Sequence, residues 1–298
     1  TSPEGWEASA SHPVFLRPPA TAMTRILFTL LTALCSLAFA SEDWVLVFED
    51  NFSGKKLNTK KWSRIEYEKA NHFPDWKKYQ SRDKKLLKMN GTSISLWGRY
   101  GKFRTMSNQT RPQETIACAG IYTKNTFTFQ YGRVEVRARF DCVQGCWPAI
   151  WMLPLKGGWP GGGEIDILEH LNFEQKVYQT LHMNGDNGNH KSTGTQPVIQ
   201  GDKEDFHVYT IEWKPGSITF YLDGQQTGSY DRSISANWPF DNEDHEFYLL
   251  IDQQVEGGWV GKADRDTLRK KGAALEVDYV KIYADKKYRL KEKEKAGK

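Results

Sequence analysis

The sequence predicts an all-β protein, a two-sheet antiparallel β-sandwich of jelly-roll type. Three observations support this fold class. Short apolar runs with period-two alternation recur along the chain, glycine-containing turns separate them, and helical periodicity is weak and confined to residues 264–271. Many short strands with few helices are typical of sandwiches. Of the 298 residues, we assign residues 41–284 to one large β domain.

The first forty residues have the pattern of a targeting segment rather than of a folded domain. Met23 begins a short basic stretch, which is followed by an apolar run over residues 26–37 and then by Ala38-Phe39-Ala40. This is the pattern of a secretory signal peptide at residues 23–40, cleaved after the last alanine. The apolar run is too short to span a bilayer, so no membrane span is predicted.

The signal peptide predicts a secreted or periplasmic protein. Residues 1–22, which precede it, are assigned to a leader of undefined origin. Residues 285–298 form a basic tail, and residues 286–298 carry seven Lys and Arg against two Glu within a chain of net charge +4. The body is therefore close to neutral, which argues against a nucleic-acid partner. We expect a monomer by default.

Three cysteines follow the signal peptide, at Cys118, Cys142 and Cys146. In an oxidising compartment they predict one disulfide and one remaining thiol. Cys142 and Cys146 are close in sequence around Gly145, so we expect them to form the pair. A zinc site would need His or Cys partners at suitable spacing, and none is nearby. No metal ligands are therefore predicted.

Several segments have the patterns of individual strands. Residues 134–140 alternate apolar and charged side chains, as a half-buried strand does. Residues 218–221 and 225–230 flank Asp223-Gly224, a dipeptide that favours the type I′ turn of a β-hairpin. Further apolar strands are predicted at residues 247–251 and 275–283.

The most informative segment is residues 164–169, which places three carboxylates within six residues behind a glycine run. An ionised carboxylate out of water must be paired or functional. In a strand, Glu164 and Asp166 share a face, whereas Glu169, five positions after Glu164, points the other way. A β-bulge between Asp166 and Glu169 adds one residue and returns Glu169 to the same face.

A bulged strand makes chemical sense of these acids. It places Glu164 and Glu169 about 13 Å apart along the backbone. On a curved sheet their side chains can lean to the roughly 5–5.5 Å separation of the carboxylates in a retaining glycosidase. In a helix the two would point about 140° apart. The alternatives are an exposed acidic edge strand or a calcium loop, but the residues between the acids are apolar on the opposite face and the oxygen-rich spacing of a calcium loop is absent.

Aromatic residues near the acids are candidate sugar contacts. Trp147 and Trp151 share parity on a strand that runs toward the acidic segment, and glycines flank Trp259. Flat rings suit the apolar faces of sugar rings, and an indole adds one N–H donor. The alternative is that these rings fill the core. His182 lies on the next predicted strand, where a lone histidine is more often structural.

Five blocks, in the same order, resemble glycoside hydrolase family 16. They are residues 47–54 with Leu57 and Trp62, residues 131–138, residues 147–152, the motif Glu164-x-Asp166-x-x-Glu169, and residues 277–283. The resemblance covers the whole chain after the signal peptide, so it is far more specific than the acidic motif alone.

The resemblance implies a jelly roll with a concave substrate cleft and retaining chemistry. In that family pattern Glu164 is the nucleophile and Glu169 the general acid and then base, with a raised pKa. Asp166, on the same face, helps to keep the protonation states of the glutamates apart. No cofactor is required, although the family often carries a structural calcium that this sequence does not indicate. The residues expected to contact sugar are Trp147, Trp151, His182 and Trp259.

The late strand indicates which substrate to expect. The β-1,3-glucanase branch usually has an Asn followed by small residues and Val-Gly-Gly, whereas residues 252–259 read Asp-Gln-Gln-Val-Glu-Gly-Gly-Trp. Residues 71–80 also lack the pattern of that branch. The Asp-Gln-Gln form resembles secreted enzymes of mucin-degrading gut bacteria that cut poly-N-acetyllactosamine and mucin O-glycans at internal β-1,4-galactosidic bonds. The alternatives are an endo-β-1,3-glucanase acting on laminarin-like chains and a non-catalytic carbohydrate-binding module.

Overall fold

The structure, a computed structural model, describes residues 44–66 and 75–286, which are almost entirely β. The strands are β1 (Trp44–Asp50), β2 (Ser63–Arg64), β3 (Leu87–Met89), β4 (Ile94–Phe103), β5 (Gln113–Ala117), β6 (Gly120–Tyr122), β7 (Gly132–Phe140), β8 (Cys146–Pro154), β9 (Glu164–Glu169), β10 (Tyr178–Asn184), β11 (His190–Thr195), β12 (His207–Lys214), β13 (Ser217–Leu222), β14 (Gln225–Asp231), β15 (Phe247–Val255) and β16 (Ala273–Asp285). The helix α1 spans Arg265–Lys270, and short 3-10 helices lie at Asp75–Lys77, Lys84–Leu86, Arg232–Ile234 and Pro239–Asp241.

Several predicted segments lie outside the described residues. These are the leader at 1–22, the signal peptide at 23–40, all but the first two residues of the basic tail at 285–298, and the first part of the 71–80 segment. Within the described ranges, no helix is long and apolar enough to cross a membrane.

The strands form two antiparallel sheets. One sheet has seven strands in the order β11-β10-β9-β8-β15-β6-β2. The other has nine, with the main order β14-β13-β12-β7-β16-β4-β3, β1 paired with β16 and β5 paired with β4. The predicted all-β, two-sheet antiparallel sandwich is confirmed.

Turn and cap chemistry explains the local elements that the sequence predicts. Asp223 and Gly224 have φ of 51° and 79°, the left-handed conformation that a type I′ turn requires at both central positions, and they join β13 to β14. Asp264 caps α1 by accepting hydrogen bonds from the backbone N–H groups of Asp266 and Thr267.

The core lies between the sheets and follows strand alternation. On β8, Ile150 and Met152 are fully buried in the main hydrophobic cluster, while their neighbours Trp147 and Trp151 point to the outer face of the seven-stranded sheet. The facing sheet contributes alternate residues of β7, β12 and β16 to the same cluster. Removing this apolar surface from water is the main stabilising term, and it leaves the outer face of the seven-stranded sheet available for other side chains.

The expected Cys142–Cys146 disulfide is wrong: Cys118, Cys142 and Cys146 are free thiols. Cys146 begins β8 and packs with Cys118 in a small separate cluster. Cys142 packs against the main core, where its Sγ lies 4.0 Å from Nε2 of His170. The two side chains therefore enter different packed regions, although four residues separate them. Burial raises the pKa of Cys142 to about 12, which keeps this thiol protonated and unreactive.

We therefore expect the three thiols to react readily once the protein is unfolded, and no reducing agent should be needed to make them reactive. Iodoacetamide in denaturant should label Cys118, Cys142 and Cys146 in the unreduced protein, and the native protein should react slowly because these side chains are shielded. Peptide mass spectrometry reads each position separately. A Cys142–Cys146 cross-linked peptide would contradict the free-thiol arrangement.

Candidate active site

The predicted bulge lies in β9. On β8, Trp151 pairs with Asp166 and Ile150 pairs with Leu168, so one residue of β9 is skipped between them. The pairing of β9 with β10 shifts over the same stretch. Two residues on the bulged strand then oppose one on its neighbour, which reverses the alternation beyond that point. The bulge predicted between Asp166 and Glu169 is confirmed.

The bulge separates apolar from acidic side chains on the two faces of β9. Ile165, Ile167 and Leu168 are fully buried in the main core. Glu164, Asp166 and Glu169 line the cleft on the opposite face. An acid on the core face would lie among apolar groups without partners. The three carboxylates therefore share one face.

The cleft has a volume of about 820 Å³ and crosses the outer face of the seven-stranded sheet. Residues paired across antiparallel strands share a face, so register determines which side chains surround the acids. On β10, Tyr178, Thr180 and His182 pair with the three acids of β9. The complete lining is Trp76, Trp147, Trp151, Leu153, Trp159, Glu164, Asp166, Glu169, Tyr178, Thr180, His182, Ser192, Thr193, Gly194, Thr195, Gln196, Gln254 and Trp259.

Glu169 lies at the end of the acidic strand nearer Trp259. Only 8% of its surface is exposed, and its Oε1 accepts a hydrogen bond from Nε1 of Trp147 at 3.0 Å. Burial first, and then the charge of Asp166, raise the pKa of Glu169 well above its usual range, whereas the indole donor lowers it. Glu169 is therefore suited to keep a proton near neutral pH.

Glu164 and Asp166 lie together at the other end of the strand. Burial, followed by the charges of Asp166 and Glu169, raises the pKa of Glu164, and a hydrogen bond from Trp159 lowers it. Asp166 is only 1% exposed. The charge of Glu169 opposes ionisation of Glu164, so a proton on Glu169 favours the ionised form of Glu164.

A pair of histidines extends this end of the site. Nε2 of His182 lies 3.2 Å from Oδ2 of Asp166, and Nδ1 of His182 lies 2.8 Å from Nε2 of His190. The 2.8 Å contact joins two ring nitrogens, so one of the two imidazoles donates its N–H to the other. The ring of Trp159 lies 4.7 Å from that of His190. His190 therefore holds His182 in the orientation that contacts Asp166.

Asp252 is a fourth carboxylate, buried beneath the cleft floor. It is fully buried, its Oδ1 accepts from Nε1 of Trp151 at 2.8 Å, and its Oδ2 accepts from Nε2 of Gln80 at 3.0 Å. Burial raises its pKa to about 7, although hydrogen bonds from Trp151 and Gln254 stabilise the ionised form. Asp252 and Glu169 both pair with Ala149, from opposite sides of β8. The charge of Asp252 accordingly raises the pKa of Glu169.

Aromatic rings bound the cleft on both sides of the acids. Trp259, 47% exposed, lies 5.3 Å from the ring of Trp147 and 4.8 Å from that of Tyr178. Trp151 is only 4% exposed and packs edge-on against Trp76 at 5.0 Å. Trp151 therefore forms part of the floor, whereas Trp259 offers an open ring face.

All seven residues selected from the sequence line this one cleft: Glu164, Asp166, Glu169, Trp147, Trp151, His182 and Trp259. Sequence reasoning missed Trp159, His190 and Asp252. Strand parity could have suggested Asp252, because positions 250, 252 and 254 of β15 share one face of the strand. Trp159 precedes β9 in a loop, and its place beside the histidines has no local signal.

The same cluster has the donor atoms of a metal site. Glu164, Asp166 and His182 each offer one ligand atom, and these atoms lie within 4.8 Å of one another. Mixed carboxylate and imidazole ligands suit divalent transition metals. Within the described residues, this group is the one whose donors meet that spacing.

Comparison with known proteins identifies the family. The sequence model of glycosyl hydrolases family 16 matches residues 74–279. A keratan-sulfate endo-1,4-beta-galactosidase of Sphingobacterium multivorum is 32% identical over 256 residues, which cover 82% of this chain and 56% of that protein. The chain thus spans little more than half of that relative's length.

Solved structures agree with this assignment. One, from work on endo-acting O-glycanases that human gut bacteria express to initiate mucin breakdown, is 29% identical with a TM-score of 0.73, covering 83% of this chain and 93% of that chain. The laminarinase catalytic domain of Thermotoga maritima is 27% identical with a TM-score of 0.68, covering 82% and 99%. With the family model matched over most of its described length, the chain belongs to glycosyl hydrolases family 16.

Proposed function

We propose that the protein is an endo-acting, retaining glycoside hydrolase that cleaves internal β-1,4-galactosidic bonds in poly-N-acetyllactosamine or mucin O-glycan chains. The observation that carries the proposal is the bulged strand β9, which sets Glu164, Asp166 and Glu169 on one face of an open cleft. Endo action is proposed because the chain is similar to endo-acting enzymes.

In the first step, a carboxylate oxygen of Glu164 attacks the anomeric carbon. The bond to the leaving sugar oxygen breaks, and that oxygen takes the proton of Glu169. In the second step, ionised Glu169 takes a proton from water while the water oxygen attacks the same carbon. The ester bond to Glu164 breaks, and both glutamates return to their starting states.

Asp166 is proposed to assist both steps without bonding to the sugar. Its carboxylate lies between the glutamates, and its Oδ2 lies 3.2 Å from Nε2 of His182. Its negative charge favours the protonated form of Glu169 at the start of the cycle. The aromatic residues Trp147, Trp151 and Trp259, together with His182, are proposed to bind the sugars on either side of the scissile bond.

Two observations support galactosidic substrates. The sphingobacterial relative is a keratan-sulfate endo-1,4-beta-galactosidase, and one structural neighbour comes from work on mucin O-glycanases. In addition, β15 presents Asp252 and Gln254 on the cleft side, in the Asp-Gln-Gln sequence that departs from the glucanase pattern.

Mass spectrometry of the products tests the substrate. The protein should be incubated in parallel with desulfated keratan sulfate, mucin glycans and laminarin. Oligosaccharides ending in reducing galactose are expected. The similarity to laminarinase structures supports a second candidate, endo-β-1,3-glucanase, and gluco-oligosaccharides from laminarin alone would replace the first proposal with it.

We further propose that the protein acts outside the cytoplasm, secreted or periplasmic, as a monomer. The signal-peptide pattern at residues 23–40 supports the location. Glu164 supplies the nucleophile and Glu169 supplies both the acid and the base, so the proposed reaction needs no metal or organic cofactor.

The roles of the two glutamates are separable with azide. Glu164→Ala and Glu169→Ala should each lower kcat, by about 10³-fold or more for the nucleophile and about 10²–10⁴-fold for the acid. With an activated aryl glycoside, azide should rescue both variants, giving the α-glycosyl azide from Glu164→Ala and the β-glycosyl azide from Glu169→Ala. NMR of the azide products reads the anomeric configuration, and exchanged configurations would reverse the assignment.

The alkaline limb of the pH–rate profile should follow the pKa of Glu169. Asp252→Asn removes a negative charge that raises this pKa, so the limb should move to lower pH. Trp147→Phe removes a donor that lowers it, so the limb should move to higher pH. Because the two variants should move the alkaline limb in opposite directions, the result distinguishes an electrostatic effect on Glu169 from general damage to the site. Limbs that move in the same direction, or not at all, would argue that another group sets the limb.

Dialysis against EDTA should leave activity unchanged, because no proposed step uses a metal. Added Zn²⁺ should inhibit, since Glu164, Asp166 and His182 can bind it together, and His182→Phe should weaken that inhibition. Loss of activity in EDTA that one divalent ion restores would contradict the metal-free scheme.

A further inference from the structure

A second cavity, of about 300 Å³, lies beside the main cleft. Trp76 lines both cavities. Leu250, in the floor of the second cavity, pairs with Tyr122 of β6 on one side and with Trp151 of β8 on the other. The second cavity therefore continues the main cleft across the same sheet face, from β8 over β15 to β6.

The walls of this cavity combine aromatic rings with cationic side chains. Tyr122 and Tyr248 meet edge to face with centroids 6.3 Å apart. Nζ of Lys124 lies 5.4 Å from the ring centroid of Tyr248, and Nζ of Lys77 lies 5.9 Å from that of Trp76. A ring face attracts an ammonium group and so holds it at the wall of the cavity.

The charge around the second cavity is positive. Among the described residues that line it, the one acid is Glu66, which lies 3.3 Å from Arg82, and the guanidinium offsets its charge. Lys77 and Lys124 add two positive charges to the lining. Ammonium groups are strongly hydrated point charges that bind sulfate-like and carboxylate groups without demanding one orientation.

The main cleft has the opposite charge. It contains Glu164, Asp166 and Glu169, with Asp252 beneath its floor. These carboxylates would repel an anionic substituent of the substrate, and the repulsion is stronger in the cleft because burial lowers the effective dielectric constant. A chain with anionic substituents can therefore place one favourably only away from the acids, and the second cavity is such a place.

We propose that Trp76, Lys77, Tyr122, Lys124 and Tyr248 form a lysine subsite, which binds a sugar residue carrying an anionic substituent, a sulfate ester or a carboxylate, while the same chain is cleaved in the main cleft. The inference rests on the proposed function and extends it to charged substrates. The rings contact the sugar, and the ammonium groups attract its substituent.

The test compares charged and neutral forms of one polymer. Values of kcat/KM are measured on keratan sulfate, desulfated keratan and sialylated poly-N-acetyllactosamine for the wild type, Lys77→Gln, Lys124→Gln and the double variant. The double variant should lose about threefold to tenfold on the anionic substrates and stay unchanged on the desulfated one. The sulfated and sialylated arms show which anion the subsite accepts. The loss should shrink at high salt.

Two further variants make the test specific. Lys88→Gln is the matched control, because Lys88 also lies over an indole, 5.3 Å from the ring of Trp97, but on the other sheet. It should leave the ratio between charged and neutral substrates unchanged. Glu66→Gln should raise that ratio, since it removes the acid and leaves the charge of Arg82 unopposed. A ratio that responds equally to Lys77, Lys124 and Lys88, or to none of them, would overturn the lysine subsite.

Failure of the proposed function has a different signature. If the wild type cleaves laminarin and neither form of keratan, the galactosidic assignment fails. The same variants are then compared on laminarin and sulfated laminarin. A selective loss on the sulfated polymer would still support the lysine subsite, and an unchanged ratio would overturn it.

Discussion

The structure depends on one constraint, the division of β9 into an apolar face and an acidic face. Ile165, Ile167 and Leu168 are fully buried between the sheets, and burial of such side chains contributes about 1.5–3 kcal/mol each. The bulge allows this burial together with the exposure of both glutamates to the cleft. Without the extra residue, either Glu169 would enter the core or Leu168 would leave it.

The environment of the acids determines their protonation as much as their spacing does. Burial and mutual repulsion raise the pKa values of Glu164 and Glu169, and one indole donor beside each of them opposes the rise. The charge of Asp252 also raises the pKa of Glu169. Ala149 on β8 lies between these two residues, which belong to the strands on either side of it, and its small side chain leaves them close together. The sheet thus brings carboxylates from two strands within electrostatic reach of one another, and indole donors stabilise the ionised forms of Glu164, Glu169 and Asp252.

Charge is distributed unevenly along the sheet face. The centre, over β9, is acidic and partly shielded from water, and the region over β6 carries the lysines. Trp76 lines both cavities, so an acidic cleft and a cationic cavity lie next to each other on the same sheet face. This distribution follows from register, because β15 pairs with β8 on one side and with β6 on the other.

The alternation of the strands, the Asp223-Gly224 hairpin and the bulge can be predicted from local sequence, because they depend on period-two geometry and turn chemistry within a few residues. The resemblance to a known family added the roles of the acids and the residues expected to contact sugar, and all seven of these side chains line the cleft. The remaining contacts form only when distant parts of the chain pack together. Trp151 meets Asp252 across 101 positions and Gln80 meets it across 172, so no local pattern reports them. Cys142 and Cys146 stay apart for the same reason, since packing against different clusters, rather than closeness in sequence, directs their side chains.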